Sequence, residues 1–87
     1  TATPPIIEAT GNDTNITLQL KPKGTGVVQS TAPIRLKGYT VATLPAGTQG
    51  DTAYCTDLLT PTYLVAAVGG GAVVGPVFYN GTAWVSY

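Results

Sequence analysis

The sequence has very few of the residues that usually stabilise small proteins or carry out catalysis. It contains no histidine and no methionine, and Cys55 is its only cysteine. One cysteine excludes an internal disulfide, and the lack of histidine excludes the usual zinc ligand sets and a Cys–His catalytic pair. A chain of 87 residues buries only roughly 60–65% of its unfolded surface. We therefore expect oligomerisation to supply the remaining stability, and we expect no metal and no cofactor.

Charge is also sparse, with four basic and four acidic residues and a net charge of zero. Phosphate binding needs a basic surplus, so we predict no nucleic-acid partner. The longest apolar run, Tyr63 to Val68, is far shorter than the ~18 residues of a membrane span, so we predict no membrane insertion. Because methionine is absent, we expect that the sequence was processed or belongs to a longer protein.

Glycine and proline are frequent, and they separate short runs that favour β-structure. The clearest run is ITLQL, Ile16 to Leu20, in which apolar and polar residues alternate as in a half-buried strand. Further strands are predicted over 27–30, 39–44, 52–57, 61–68 and 72–79. The sequence therefore predicts an all-β protein.

Asn80-Gly81 is the strongest local signal, because both residues tolerate the positive φ of a type I′ turn. A two-residue loop here predicts a hairpin with the pairs Tyr79–Thr82, Phe78–Ala83 and Val77–Trp84. We expect the face with Phe78, Ala83, Val85 and Tyr87 to point into the core. The other face presents Tyr79 and Trp84, which we interpret as candidate contacts for a neighbouring subunit or for a sugar ring.

Composition divides the chain into two predicted regions. Residues 1–37 are polar and contain no aromatic residue, so we predict an extended, shaft-like β segment. Residues 38–87 hold all seven aromatic residues and are predicted to form a small, compact antiparallel β module. We expect the chains to be intertwined or packed as a trimer.

Two stretches resemble proteins of tailed bacteriophages. ITLQLKPKGTGVVQS is similar to the L-x-L-x-PKGTG-x-V segments of phage fibre proteins. GYTVATLPAGTQG, followed by TAYCTD and by GGGAVVGPVFYNGTAW, resembles a C-terminal module of phage and prophage virion proteins. The one departure is Cys55, where that module has valine, a residue of similar volume.

The resemblance implies a structural virion protein rather than an enzyme. It implies a homotrimeric fibre or appendage subunit that is made in the bacterial cytoplasm, lies on the surface of the phage particle, contacts other virion proteins and contributes to attachment to a host surface glycan. A capsid-surface cement or head-fibre protein is an alternative, as are a fibre-borne glycan depolymerase and a monomeric adhesin. The resemblance implies no catalytic residues.

The basic residues are the remaining candidate site. Lys21, Lys23, Arg35 and Lys37 fall within one short part of the chain without an intervening acid. They could contact an anionic glycan, but solvated turns and charged strand edges that discourage stray strand pairing are the favoured explanation. The four acids are scattered, and Cys55 has no base beside it in sequence, so we expect turn roles for the former and a buried, inert thiol for the latter.

Overall fold

A computed structural model describes residues 3–87. The chain divides into two units, of which the first ends at Pro33 and the second covers Ile34–Tyr87. We call these the N-terminal unit and the C-terminal unit. The boundary predicted from composition lies nearby, after Lys37. No α-helix occurs among the described residues, and none of their helical turns is long and apolar enough to cross a membrane.

The C-terminal unit contains one sheet of four strands, which agrees with the predicted all-β class. The strands are β1 (Gly38–Tyr39), β2 (Thr52–Leu58), β3 (Val73–Tyr79) and β4 (Trp84–Ser86), and they lie in that order across the sheet. A 3₁₀ helix, Val41–Thr43, follows β1. The predicted strands 52–57 and 72–79 therefore correspond closely to β2 and β3.

The sheet is mixed, whereas the sequence predicted an antiparallel module. β2 pairs antiparallel with β3, and β3 with β4, but β1 runs parallel to β2. A parallel pair needs a crossover of about a dozen residues, and the segment between Tyr39 and Thr52 provides it. The predicted strand 39–44 ends early because Thr40 and Thr43 bond to each other. The Thr43 hydroxyl accepts the Thr40 amide hydrogen at 3.0 Å and competes with strand pairing.

The predicted strand 61–68 is not a regular strand. Thr60 has φ +47° and Leu64 has φ +61°, and such left-handed conformations interrupt extended structure. The segment nevertheless lies against β4. The Leu64 amide donates to the Ser86 carbonyl at 2.7 Å, and the Ser86 amide donates to the Val65 carbonyl at 3.0 Å. These bonds hold the last residues of the chain in place.

The register predicted for the C-terminal hairpin is wrong. Tyr79 pairs with Trp84, Phe78 with Val85 and Val77 with Ser86. The loop therefore has four residues, Asn80–Ala83, and Asn80 does not have the positive φ that a type I′ turn requires. The shift amounts to two residues along β4, so each side chain stays on the face predicted for it.

The core lies mainly on the opposite face from the one predicted. Val77, Cys55 and Leu58 are fully buried, and Ala53 is nearly so. Trp84 packs against this cluster together with Tyr39, Val41, Leu44 and Ala67. On the predicted core face Val85 is buried, but Tyr87 is half exposed and contacts Phe78 edge-on with ring centroids 6.1 Å apart. The prediction failed because the partners on both faces come from distant segments that a hairpin pattern does not reveal.

The N-terminal unit contains no regular strand among its described residues. Within residues 3–33, one backbone–backbone hydrogen bond joins the Gly26 amide to the Lys23 carbonyl at 3.1 Å, in the predicted turn. The predicted strands 16–20 and 27–30 have no pairing partner in the described part of the chain. All of its large aliphatic side chains are exposed: Ile6, Ile7, Ile16, Leu18, Leu20, Val27 and Val28.

Candidate functional site

Tyr79 and Trp84, the candidate subunit or sugar contacts, form a cross-strand pair. Their ring centroids are 5.5 Å apart and the rings are nearly perpendicular, with an interplanar angle of 76°. Trp84 Nε1 donates a hydrogen bond to the Pro45 carbonyl at 3.0 Å, and the Tyr79 hydroxyl donates to the Thr82 carbonyl at 3.1 Å. Both side chains are half-buried, and the polar atoms of both have partners within the chain. Their role as subunit or glycan contacts stays a prediction.

The loop beside this pair is held by the side chain of Asn80. The Asn80 Oδ1 atom accepts the backbone amide hydrogens of Thr82 and Ala83, both at 2.9 Å. The Asn80 backbone amide donates to the Ala83 carbonyl at 3.1 Å. Gly81 has φ +100°, a conformation that favours glycine. The Asn-Gly signal therefore marks a tight loop, although of a different type from the one predicted.

The four basic residues are all exposed. Lys21 and Lys23 belong to the N-terminal unit, while Arg35 and Lys37 belong to the C-terminal unit. The Lys37 ammonium lies 5.2 Å from the centroid of the Tyr39 ring, which is a cation–π distance. Their contact with an anionic glycan stays a prediction.

Cys55 is fully buried in the core cluster, so the predicted burial of the thiol is confirmed. Burial raises the pKa of the Cys55 thiol, and the nearby Asp57 carboxylate raises it further. A thiol with a raised pKa holds its proton and is a poor nucleophile.

The two acids near β2 stabilise turns. Asp57 Oδ1 accepts the Val41 amide hydrogen at 2.9 Å and fixes the start of the 3₁₀ helix. Asp51 Oδ2 accepts the Thr48 amide hydrogen at 2.9 Å in the turn before β2. Among residues 3–87, no group of three or more Cys, Asp or Glu side chains is placed to hold a metal ion.

The backbone of the glycine-rich stretch Val68–Gly75 lies in close contact with the backbone of β2. The Gly71 amide donates to the Asp57 carbonyl at 3.0 Å. A Cβ atom on residue 71 would lie only 2.2 Å from the Leu58 carbonyl oxygen, so no side chain fits there. Glycine at position 71 permits this close approach of the two backbones.

A small cleft of about 280 Å³ opens on the C-terminal unit, and sequence reasoning missed it. Its lining includes Pro61, Tyr63, Val74, Pro76, Ser86 and Tyr87. Ser86 is 3% exposed, and its hydroxyl has no hydrogen-bond partner. The lining residues come from four separate stretches of the chain, so no sequence motif could have indicated the cleft. We call it the Ser86 cleft.

Comparisons with protein-family models, with curated proteins and with solved structures find no match for this chain.

Proposed function

We propose that the chain is a structural virion protein, the subunit of a homotrimeric fibre or appendage of a tailed bacteriophage. The N-terminal unit is the part that forms the shaft with its counterparts in the other chains. The C-terminal unit lies at the distal end and contributes to attachment to the host. The phage assignment depends on the PKGTG and PVFYNGTAW stretches described above.

The state of the N-terminal unit is the observation that carries the proposal. Ile16, Leu18 and Leu20 alternate along the chain, and their exposed fractions are 43%, 50% and 63%. Alternation of this kind suits a strand that is buried on one face. Their backbone groups also lack ladder partners within residues 3–33. Copies of the same chain can supply both the missing strand partners and the missing apolar cover.

The total surface supports the same proposal. The chain exposes 7233 Å², whereas a compact folded monomer of 8.9 kDa exposes about 4,800 Å² by the usual scaling of area with mass. The excess is about 2,400 Å² per chain, and obligate interfaces bury roughly 1,000–2,500 Å² on each partner. An excess of this size is what a permanently assembled subunit needs.

Light scattering on the purified chain tests the assembly. We expect a particle of three chains of 8.9 kDa each, stable at low micromolar concentration. A stable, folded monomer under those conditions would contradict the proposal. Gold-labelled antibody against the chain, imaged on intact phage particles, tests the location. Label at the tail supports the fibre proposal, and label over the capsid indicates the head-fibre alternative.

A further inference from the structure

We propose that the outer edge of β1, together with residues 34–37 before it, binds an extended segment of another protein by strand addition, and that acidic and apolar residues alternate in this segment. We call this surface the β1 edge. The inference does not depend on the proposed phage function, because every feature that carries it lies within the C-terminal unit.

The backbone of the β1 edge is open to a further strand. β1 is an outermost strand of the sheet and pairs with β2 on one side, and an edge strand presents amide and carbonyl groups that another strand can bind. Residues 34–36 add to this row, because they take part in no backbone–backbone hydrogen bond within the described chain. None of residues 34–39 has a positive φ. The opposite edge is already covered, since Trp84 and Ser86 bond to the segment 64–67.

The two faces of the β1 edge differ in chemistry. Alternation along the chain places Arg35, Lys37 and Tyr39 on one face, and the Lys37 ammonium lies 5.2 Å from the centroid of the Tyr39 ring. Ile34 and Leu36 lie on the other face and are 72% and 42% exposed. A strand added here would therefore meet two cations on one face and apolar side chains on the other.

Tyr54 extends the apolar face across β1. It pairs with Gly38 in the parallel ladder. A Cβ atom on residue 38 would lie 2.6 Å from the Tyr54 hydroxyl oxygen and 2.7 Å from its ring carbon Cζ. The Tyr54 ring can lie over β1 because residue 38 has no side chain. The half-buried ring thus offers a further apolar contact on the same face as Leu36.

Charge determines which kind of strand fits the other face. Arg35 and Lys37 are the only basic residues of the C-terminal unit, and both are exposed. The two acids of the unit, Asp51 and Asp57, each accept a backbone amide hydrogen at 2.9 Å and stabilise turns. Carboxylates at alternate positions of an added strand would lie opposite the two cations, and opposite charges across a ladder stabilise it.

A second copy of the same segment fits this edge poorly. Two β1 edges paired with each other would bring Arg35 and Lys37 close to the same residues of the other chain, and like charges across a ladder are destabilising. The cations therefore discourage self-pairing, in agreement with the explanation favoured from the sequence. The same charges favour a partner strand of opposite charge, which gives the edge its specificity.

Peptide binding to the full chain tests the inference. The probe is a fluorescein-labelled peptide of nine residues in which glutamate and valine alternate, and binding is measured by fluorescence anisotropy. We expect it to bind at least about tenfold more tightly than the matching peptide of lysine and valine. The double variant Arg35→Glu/Lys37→Glu should reverse this preference. Lys21→Glu/Lys23→Glu makes the same change of charge in the N-terminal unit and should leave the preference unchanged.

N-methylated peptides distinguish strand addition from simple attraction between charges. An N-methyl group removes a backbone donor, and successive amides of a strand point to opposite sides. One glutamate–valine peptide carries N-methyl groups on its valines and a second carries them on its glutamates. We expect one of the two, whose methylated amides face β1, to bind at least about tenfold more weakly than the unmethylated peptide. The other should bind nearly as well.

Every other result overturns the inference. Absence of binding, or equal binding to wild type and Arg35→Glu/Lys37→Glu, shows that the β1 edge takes no acidic strand. Equal binding of the two N-methylated peptides shows a charged patch without strand addition. Binding of heparin that the double variant loses, without binding of the peptide, would make Arg35 and Lys37 a contact for an anionic glycan. The proposed trimer is measured separately by light scattering, so it can stand when this inference fails.

Discussion

The two units of the chain contain similar apolar residues but differ in how far these residues are buried. In the C-terminal unit, Leu58 and Val77 are completely buried within a hydrogen-bonded sheet. In the N-terminal unit, Leu18 and Leu20 are at least half exposed and have no strand partner among residues 3–87. The alternating pattern of a strand is present in both. It buries a side chain only where a second segment of chain is available to cover it.

The difference concerns where the covering segment comes from. β2 is flanked by β1 and β3 from its own chain. The segment 16–20 has no such neighbour, and if the proposed trimer is correct, its neighbours are the same segment in other chains. Folding of the C-terminal unit should then be independent of concentration, while ordering of the N-terminal unit should depend on it. Four substitutions test this division.

Leu58→Ala should have the largest effect on folding. Leu58 belongs to the core cluster and has no exposed surface, so its truncation should cost about 2–5 kcal/mol. For a domain of this size the melting temperature should fall by about 4–8 °C for each kcal/mol. Thermal melting in dilute solution, below the assembly concentration, measures the loss.

Leu59→Ala is the matched control, because Leu59 follows directly and is 50% exposed. It should change the melting temperature much less. Equal losses for both variants would show that Leu58 is not part of a core that forms within one chain.

Trp84→Ala should have the next largest effect. Trp84 packs on the core, but it is only half-buried, so we expect a loss of about 2–3 kcal/mol, below the range for a fully buried ring. Trp84→Phe keeps most of the ring and removes the bond to Pro45, which should cost about 1 kcal/mol.

Whether the stability lost in Trp84→Ala depends on protein concentration shows if Trp84 packs within its own chain or against another subunit. A loss in dilute monomer indicates packing within the chain. A loss that appears only as weaker assembly would place Trp84 at a subunit interface. Normal assembly and stability combined with poor adsorption to host cells would make Trp84 a recognition residue.

The sequence predicted those elements whose signals are local. β2 and β3 were found because their apolar residues are bounded by glycine and proline on both sides. The parallel pairing of β1 with β2 was not predicted, because it depends on the path of the residues between the two strands. The burial of Cys55 was predicted correctly, since a thiol without a base beside it suits a core position.

Errors arose where a side chain competes with the backbone pattern. The Asn-Gly pair predicted a two-residue loop. In the structure Asn80 Oδ1 accepts two backbone amide hydrogens, and the loop has four residues. Thr43 binds the Thr40 amide and ends β1 early. The Ser86 cleft could not be predicted, since it exists only after the segment 61–63 meets β3 and the last residues of the chain.

Gly81→Val should have an intermediate effect. With φ at +100°, a β-branched residue should cost about 1–3 kcal/mol, and the new Cβ would meet only the flexible side chain of Gln49 at 3.3 Å. Thr82→Val is the control, because it adds the same branched side chain at the next, exposed position of the loop. A similar melting temperature for wild type and Gly81→Val would mean that the loop relaxes without cost.

Leu18→Ser should have the smallest effect on the monomer and a clear effect on assembly. Leu18 is half exposed and has no core neighbour, so the free energy of unfolding in dilute solution should change by less than about 0.5 kcal/mol. In the proposed trimer the same side chain becomes buried, and its apolar contribution is about 1.5–3 kcal/mol. Each chain should therefore bind its neighbours roughly ten- to a hundredfold more weakly. Gln19→Ser changes the opposite face of the same segment and should leave assembly unchanged. Sedimentation equilibrium compares the three proteins. If Leu18→Ser and Gln19→Ser assemble equally well, the alternation of residues 16–20 has no role in contact between chains, and the division between the two units must have another cause.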